Sequence, residues 1–353
     1  MSDFFHLAIV DSVGGDFIAY ARTDAGAAFG ECKAKDLESL KSFRESIEKV
    51  LQGETKPFSA PDLTNFGSSL FDCSLNGEVR ELYNGMPADS YSSIEISSRK
   101  PSLLEIPWEY IQFPKSAFGP SAARSVVRVV PTVGFGKVIP KKVSKLNVLF
   151  AVSAPIDQGL ISWVEVQQSL EDAFLARLSD GVKIDVMQIT TKAKLTEAIT
   201  SKKYDVFHFL GHGEVSNGVT NLLLVDDQNR TTQVSTTQFC QLLSGQSLSL
   251  VVLSACNSGS GDFDSPHAVL AKSLVECGIP AVIASQVSLP DATVAGFTGS
   301  LYKNLLATGD IDRAVSIARV SLAFELGSSS APSLEWGIPV LYRRNNSGRL
   351  LEV

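Results

Sequence analysis

The sequence predicts an α/β fold: a mostly parallel sheet of six strands with flanking helices in the C-terminal half, preceded by an N-terminal α+β domain. Three observations lead there. Beyond residue 145, short apolar runs alternate with amphipathic segments, and right-handed strand–helix–strand units of this kind close into one parallel sheet. Runs such as Leu250-Val251-Val252-Leu253 are apolar at every position, as strands covered on both faces must be. Gly278 and Pro280 punctuate the passage from the helix ending at Cys277 to the next strand, because glycine closes a helix and proline cannot continue one.

The elements follow in order. Apolar stretches Phe4 to Val10 and Phe17 to Arg22 flank Gly14-Gly15 and read as a hairpin. A helix follows from Asp36 to Leu51, with Leu37, Leu40, Phe43, Ile47, Val50 and Leu51 on one stripe and Gly53 closing it. Strands are expected at Ser92 to Ser97 and at Ala123 to Val130, with Ile106-Pro107-Trp108-Glu109-Tyr110 between them. The stretch from Pro131 to Lys145 is rich in Gly, Pro and Lys and reads as a linker. The expected division is therefore a domain over 1–135, a linker over 136–145 and a second domain over 146–353. Within the latter the spacing predicts strands at 146–153, 182–189, 204–210, 248–254, 280–287 and 337–343, the last antiparallel. Helices fall at 160–179, 193–202, 235–244, 266–277, 292–307 and 311–326. The polar insertion Val215 to Val234 carries Leu222-Leu223-Leu224-Val225 and the turn Asp226-Asp227-Gln228-Asn229, and reads as a hairpin flap.

Composition narrows the function. With 353 residues, 44% of them hydrophobic, the chain can bury substantial cores. Lysines and arginines number 31 against 38 acidic residues, a net charge of −7 that gives no general attraction for nucleic acid or anionic lipid. The start lacks the basic segment of a signal peptide, and nowhere do 18 apolar residues run together. The five cysteines (Cys32, Cys73, Cys240, Cys256 and Cys277) show no CxxC and no paired spacing. That argues against a disulfide framework or a zinc ribbon and for a cytoplasmic chain with reduced thiols.

In an open α/β sheet, ligands sit beyond the carboxyl ends of the strands. Strand 204–210 runs into Gly211-His212-Gly213, and strand 248–254 into Ala255-Cys256-Asn257-Ser258-Gly259. If the two strands are neighbours, an imidazole and a thiol meet at one edge, and a thiol beside a histidine is a candidate nucleophile with its base. The glycines around His212 leave room for a substrate's close approach. The spacing excludes other chemistries: Gly211-His212-Gly213 is no dinucleotide fingerprint, and there is no G-x-S-x-G.

The segments Tyr204-Asp205-Val206-Phe207-His208-Phe209-Leu210-Gly211-His212-Gly213 and Leu253-Ser254-Ala255-Cys256-Asn257-Ser258-Gly259 resemble the His and Cys motifs of the CHAT family, in the clan of caspase-like cysteine proteases. Ala281 to Gln286, Asp291, Ala314 to Arg319 and Trp336 to Tyr342 add to the likeness. So do Leu104 to Tyr110, similar to the family's PWE element, and Ser125 to Arg128. The order His then Cys, 44 residues apart, fits the caspase arrangement of about 50. Ser254 and Gly259 depart from the caspase QAC pattern, which puts caspase-type Asp specificity in doubt. The resemblance implies a caspase-like fold and a cysteine endopeptidase that needs no cofactor and no metal. Cys256 would be the nucleophile and His212 the acid–base, with the N–H groups of Gly213 and Cys256 as the oxyanion hole. It further implies a protein or peptide substrate, a protein activator or regulator, and a setting in prokaryotic defence or programmed death. A non-catalytic scaffold module on the same fold is the alternative.

Other residues carry weaker signals. Asp291 stands where separase-like relatives bind a P1 arginine, but Pro290-Asp291-Ala292-Thr293 reads first as the N-cap of the next helix, and one carboxylate can serve both uses. Asp157, just past strand 146–153, is a second substrate-binding candidate. His208, inside a strand, reads as a core histidine rather than a zinc ligand, and His267 as a surface residue. Trp108 and Trp336 read as core or domain-contact residues rather than ligand platforms. The loop Asn257 to Ser265, with Asp262 and Asp264, is polar and Gly-rich, and is expected to order on binding. Cys32, Cys73, Cys240 and Cys277 are expected to have no chemical neighbours.

Overall fold

The computed structural model describes residues 3–12, 16–87, 91–114, 119–178, 181–216, 219–255, 266–287, 289–327, 332–345 and 347–353. Two compact units emerge, Met1–Pro131 with Val315–Gly337, and Thr132–Ala314 with Ile338–Val353. The segment 315–337 thus groups with the first unit, whereas the division expected from sequence places it within 146–353.

The first unit holds strands β1 (Asp3–Asp11), β2 (Phe17–Thr23), β3 (Gly26–Cys32), β4 (Ser92–Ser97) and β5 (Arg124–Val130). Strands β5, β4 and β1 run parallel, and β1, β2 and β3 continue as an antiparallel meander. Its helices are α1 (Ala34–Leu51), α2 (Ala60–Ser74), α3 (Gly77–Asn84) and α4 (Pro101–Leu104). Four of these elements, β3, α2, α3 and the short α4, are absent from the sequence-based expectation. Gly-Ala-Ala-Phe-Gly-Glu-Cys contains no β-branched residue, so β3 owes its existence to pairing with β2. Helix α2 carries Gly67 and three serines, poor helix formers. Its start is secured by a reciprocal capping box between Ser59 and Asp62. Gly67 is required because a Cβ there would lie 2.5 Å from the Tyr110 carbonyl oxygen.

At the heart of this unit lies a buried charge cluster. Arg128 Nη2 donates to Glu109 Oε2 at 2.7 Å and to the Ile106 carbonyl at 3.2 Å. Arg128 Nη1 donates to the Leu104 carbonyl. Arg319 lies 3.7 Å from Glu109 Oε1 and donates to the Val126 carbonyl. The glutamate of the PWE element and the arginine of the following strand are therefore partners, each with a side chain no more than 1% exposed. Trp108 and Trp336 are buried, as expected, and Trp336 packs on Tyr110 at 4.8 Å between ring centroids.

The second unit holds β6 (Lys141–Lys142), β7 (Asn147–Val152), α5 (Trp163–Leu178), β8 (Lys183–Met187), α6 (Lys192–Ser201) and β9 (Val206–Ser216). There follow β10 (Val219–Val225), β11 (Thr231–Ser235), α7 (Thr236–Leu243), β12 (Leu250–Ala255), α8 (Pro266–Glu276), β13 (Ala281–Ser285) and α9 (Asp291–Thr308). Helix α10 (Ile311–Leu326) passes to the first unit from Val315 onward, and β14 (Pro339–Arg344) and β15 (Leu351–Glu352) complete the chain. The six expected strands are all present, in the order β8-β7-β9-β12-β13-β14. The first five are parallel and β14 is antiparallel. The fold class read from the sequence is the observed one. Buried Val148, Leu149, Phe150, Val206, Phe207, Phe209, Val251 and Val252 explain the continuous apolar runs, since both faces of the sheet are covered.

The insertion differs from expectation. Strand β10 is no flap: Leu222 to Val225 are buried, and β10 pairs with β9 on one side and β11 on the other. The predicted turn is there, with Asn229 in the left-handed region at φ 60° and Asp226 Oδ1 accepting from the amides of Gln228 and Arg230. Its antiparallel ladder extends β9 to Ser216, six residues beyond the predicted strand end.

Two cysteine expectations are also corrected. Cys32 and Cys73, 41 positions apart in sequence, bring their sulfurs to 3.0 Å. The Cys240 thiol is pushed up to about 12 by burial first and then by the adjacent Cys277. Spacing along the chain does not reveal pairs made by a strand end and a helix.

Candidate active site

The site forms where the parallel sheet runs out around β9. Gly211 is the register partner of Ala255, the last residue of β12, and Leu210 that of Val152, the last of β7. His212 is therefore the first residue of β9 beyond both parallel neighbours, although the strand itself continues, opposite Leu223 of β10. Gly211 serves packing here. A Cβ at that position would meet the Phe209 ring at 2.5 Å and the Ser153 carbonyl oxygen at 3.2 Å.

The His212 side chain has no solvent exposure. Its Nε2 lies 2.9 Å from the carbonyl oxygen of Gly159. A carbonyl can only accept, so Nε2 carries the hydrogen and the neutral ring keeps its lone pair on Nδ1. Nδ1 is buried and has no hydrogen-bond partner among the described residues. An imidazole held this way can take a proton at Nδ1 while Nε2–H stays fixed, and the charged ring strengthens its bond to Gly159.

Gly159 sits in the segment 153–162 between β7 and α5, which is fastened at several points. Ser153 donates from its amide to Leu210 and from its hydroxyl to Leu223. Ile156 N donates to the Asn229 carbonyl, and Gln158 Nε2 to Thr231 Oγ1. Asp157 accepts from both the amide and the hydroxyl of Thr231, and these bonds hold its carboxyl below the usual range. Asp157, a candidate for substrate binding, thus ties the segment to β11. Asp291 ties the other end: its Oδ2 accepts from the amide of Ser162 at 2.8 Å. Pro290, not Asp291, is the N-cap of α9, and Asp291 is its first helical residue. The cap reading of Asp291 fails because its carboxylate is engaged by the residue preceding α5.

His208 presents a different case four residues upstream. It is fully buried, with Nδ1 3.1 Å from Tyr302 Oη and Nε2 3.0 Å from Ser254 Oγ. Burial pushes its pKa down to about 3, so the ring is neutral at any ordinary pH. Both nitrogens are spoken for by hydroxyls, which removes the metal reading and makes His208 the core histidine expected. Ser254 stands two residues before Cys256 in sequence.

Cys256 and the loop Asn257–Ser265, including Asp262 and Asp264, lie outside the described residues, as does the side chain of His267. Gly213 pairs with Leu222 in the β9–β10 ladder. Sequence reasoning missed the Gly159 carbonyl, since a backbone acceptor leaves no side-chain signal, and it missed the Tyr302 end of the His208 network. Among the described residues no group of three or more His, Cys, Asp or Glu is placed to hold a metal ion, and no helix is long and apolar enough to cross a membrane.

This is the mostly parallel, helix-flanked sheet of the caspase-like fold. The chain matches the Saccharomyces cerevisiae separase of a separase–securin complex with a TM-score of 0.51, at 10% identity, over 97% of this chain and 30% of that one. Similarity extends to the Arg-specific cysteine proteinase gingipain R of Porphyromonas gingivalis, with a TM-score of 0.49, 12% identity, and coverage of 90% and 76%. Caspase-1 from Spodoptera frugiperda follows at a TM-score of 0.36, 14% identity, and coverage of 62% and 92%. The chain spans less than a third of the separase chain's length. No match was found among curated proteins. The CHAT domain model matches residues 70–342, and the chain belongs to the CHAT domain family.

Proposed function

We propose that this chain is a cysteine endopeptidase in which Cys256 attacks the peptide carbonyl and His212 serves as base and acid. The observation that carries the proposal is His212 itself: a buried imidazole with Nε2–H committed to Gly159 and a buried Nδ1 left without a partner among the described residues. A buried polar atom without a bond costs about 1–3 kcal/mol, and such an arrangement persists where chemistry uses the atom. Cys256 is bonded to Ala255, whose register partner Gly211 is bonded to His212.

In the proposed reaction the Cys256 thiol gives its proton to Nδ1 of His212, and the thiolate adds to the substrate carbonyl. The N–H groups of Gly213 and Cys256 receive the oxyanion. His212 then returns the proton to the leaving amine as the C–N bond breaks, leaving a thioester. Water, deprotonated by Nδ1, cleaves the thioester and regenerates the thiol. Asp291, half-exposed and bonded to Ser162 through Oδ2 alone, is the proposed ligand of a basic P1 side chain. The segment it anchors also carries Gly159, so P1 binding and His212 orientation share one support.

The partners proposed are a protein substrate and a regulatory protein. The separase likeness was solved with securin bound, which supports a protein partner on this fold. Screening the full chain against a P1-diverse peptide library tests the proposal, with Cys256→Ala and His212→Ala alongside. Cleavage by the wild type alone is expected, together with covalent labelling of Cys256 by a peptidyl fluoromethylketone. Cleavage that survives Cys256→Ala overturns it.

A further inference from the structure

The cysteines outside the candidate site hold a second chemistry. Cys32 is the last residue of β3 and is 1% exposed, and Cys73 lies in the last turn of α2 and is partly exposed. Their sulfurs stand 3.0 Å apart as free thiols. The approach is built into the surrounding backbone. Asn76 Nδ2 donates to the carbonyl of Glu31, the residue before Cys32, at 2.6 Å and to the carbonyl of Cys73 at 3.1 Å. The same side chain packs against Gly30, where a Cβ would lie 2.8 Å from Asn76 Oδ1. A strand end and a helix end are thus clamped together by one amide immediately beside the two thiols. A cleft of about 820 Å³ lined by Gly30, Glu31, Cys32 and Asn76 opens next to them.

We propose that Cys32 and Cys73 form a reversible intrachain disulfide, with a peroxide as the oxidant and Cys73 as the sulfur attacked first. A disulfide is about 2.05 Å long, so small rotations of two side chains close the gap without moving the clamped backbone. In the first step the Cys73 thiolate attacks hydrogen peroxide, the O–O bond breaks, and Cys73 sulfenic acid and hydroxide result. In the second, the Cys32 sulfur attacks the sulfenic sulfur, its proton leaves with the hydroxyl group as water, and the S–S bond forms. The order follows from exposure: Cys32 is 1% exposed, whereas Cys73 is partly exposed and is the sulfur a peroxide reaches first. The bond would staple β3 to α2 across 41 positions of chain. The inference stands apart from the peptidase reading, since neither cysteine belongs to that site.

The experiment uses the full chain carrying Cys256→Ala, so that oxidation of the proposed nucleophile does not enter. Treatment with hydrogen peroxide is expected to remove two alkylatable thiols and to yield a peptide joining residues 32 and 73. The thermal unfolding midpoint should rise by roughly 5–10 °C, the order expected for closing a loop of this length. Dithiothreitol should reverse both changes. Adding Cys32→Ser should trap a Cys73 sulfenic acid that reacts with dimedone, and adding Cys73→Ser should leave Cys32 unmodified. If Cys32 and Cys73 remain alkylatable after peroxide, or if the cross-linked peptide joins Cys240 to Cys277 alone, the proposal fails.

Discussion

His208 and His212 lie four residues apart on one strand, and neither is exposed to solvent, yet their surroundings differ. At His208, mid-sheet, two hydroxyls satisfy both ring nitrogens, and burial locks the ring neutral. At His212, past the ends of the flanking parallel strands, one nitrogen is fixed by a backbone carbonyl and the other has no partner among the described residues. Burial alone therefore does not distinguish a structural histidine from the one proposed as the acid–base. What separates them is the count of partners among the described residues: two at His208 and one at His212.

The largest test of this contrast lies in activity. His212→Asn is expected to lower kcat/KM for peptide cleavage by about 10³-fold, the range of a lost general base. His208→Asn should stay within about tenfold of wild type. Equal losses at both positions would erase the distinction. Stability should show the reverse order in urea unfolding. His208→Asn removes a ring bonded at both ends and is expected to cost about 2–4 kcal/mol, whereas His212→Asn should cost about 1 kcal/mol, since only one bond is lost.

Next comes pH. The folded-state pKa of His208, about 3, lies below its unfolded value near 6.5, so the unfolded chain binds the extra proton. The contribution of His208 is present above about pH 6.5 and is lost as pH falls toward 3, by up to about 1.4 kcal/mol per unit. His208→Gln should flatten the acid limb of a stability–pH curve, and an unchanged limb would show that other groups carry it. The smallest effect is expected at Asp157. Asp157→Ala unfastens the segment bearing Gly159 and should lower kcat/KM about tenfold through kcat, with little change in unfolding, because the carboxylate is exposed. A change in KM alone would place Asp157 on the substrate instead.

Much of this architecture can be read from the chain. Strands apolar at every position announce a sheet covered on both faces, and all six appear in the expected places. His208 is legible as core because it sits inside such a run. Elements held by tertiary partners are not legible. Strand β3 exists because β2 pairs with it, and α2 survives Gly67 because the Tyr110 backbone needs that space. Strand β9 continues to Ser216 only because β10 supplies a second ladder. In the site, His212 and Cys256 announce themselves by motif, whereas the Gly159 carbonyl that fixes the His212 tautomer carries no side-chain signal at all. The fastening roles of Asp157 and Asp291, read as a substrate-binding candidate and as a P1 ligand or helix cap, are not legible because the amides of Thr231 and Ser162 are 74 and 129 positions away.

The central claim is that His212 and Cys256 act as one unit, and the rate of Cys256 alkylation against pH tests it most directly. Iodoacetamide labelling at Cys256, followed by peptide mapping across pH 4 to 10, should show in the wild type a thiolate reacting well below the ordinary thiol range. In His212→Asn the profile should move back up to that range, while His208→Asn keeps the wild-type curve. Identical profiles in wild type and His212→Asn would contradict the account.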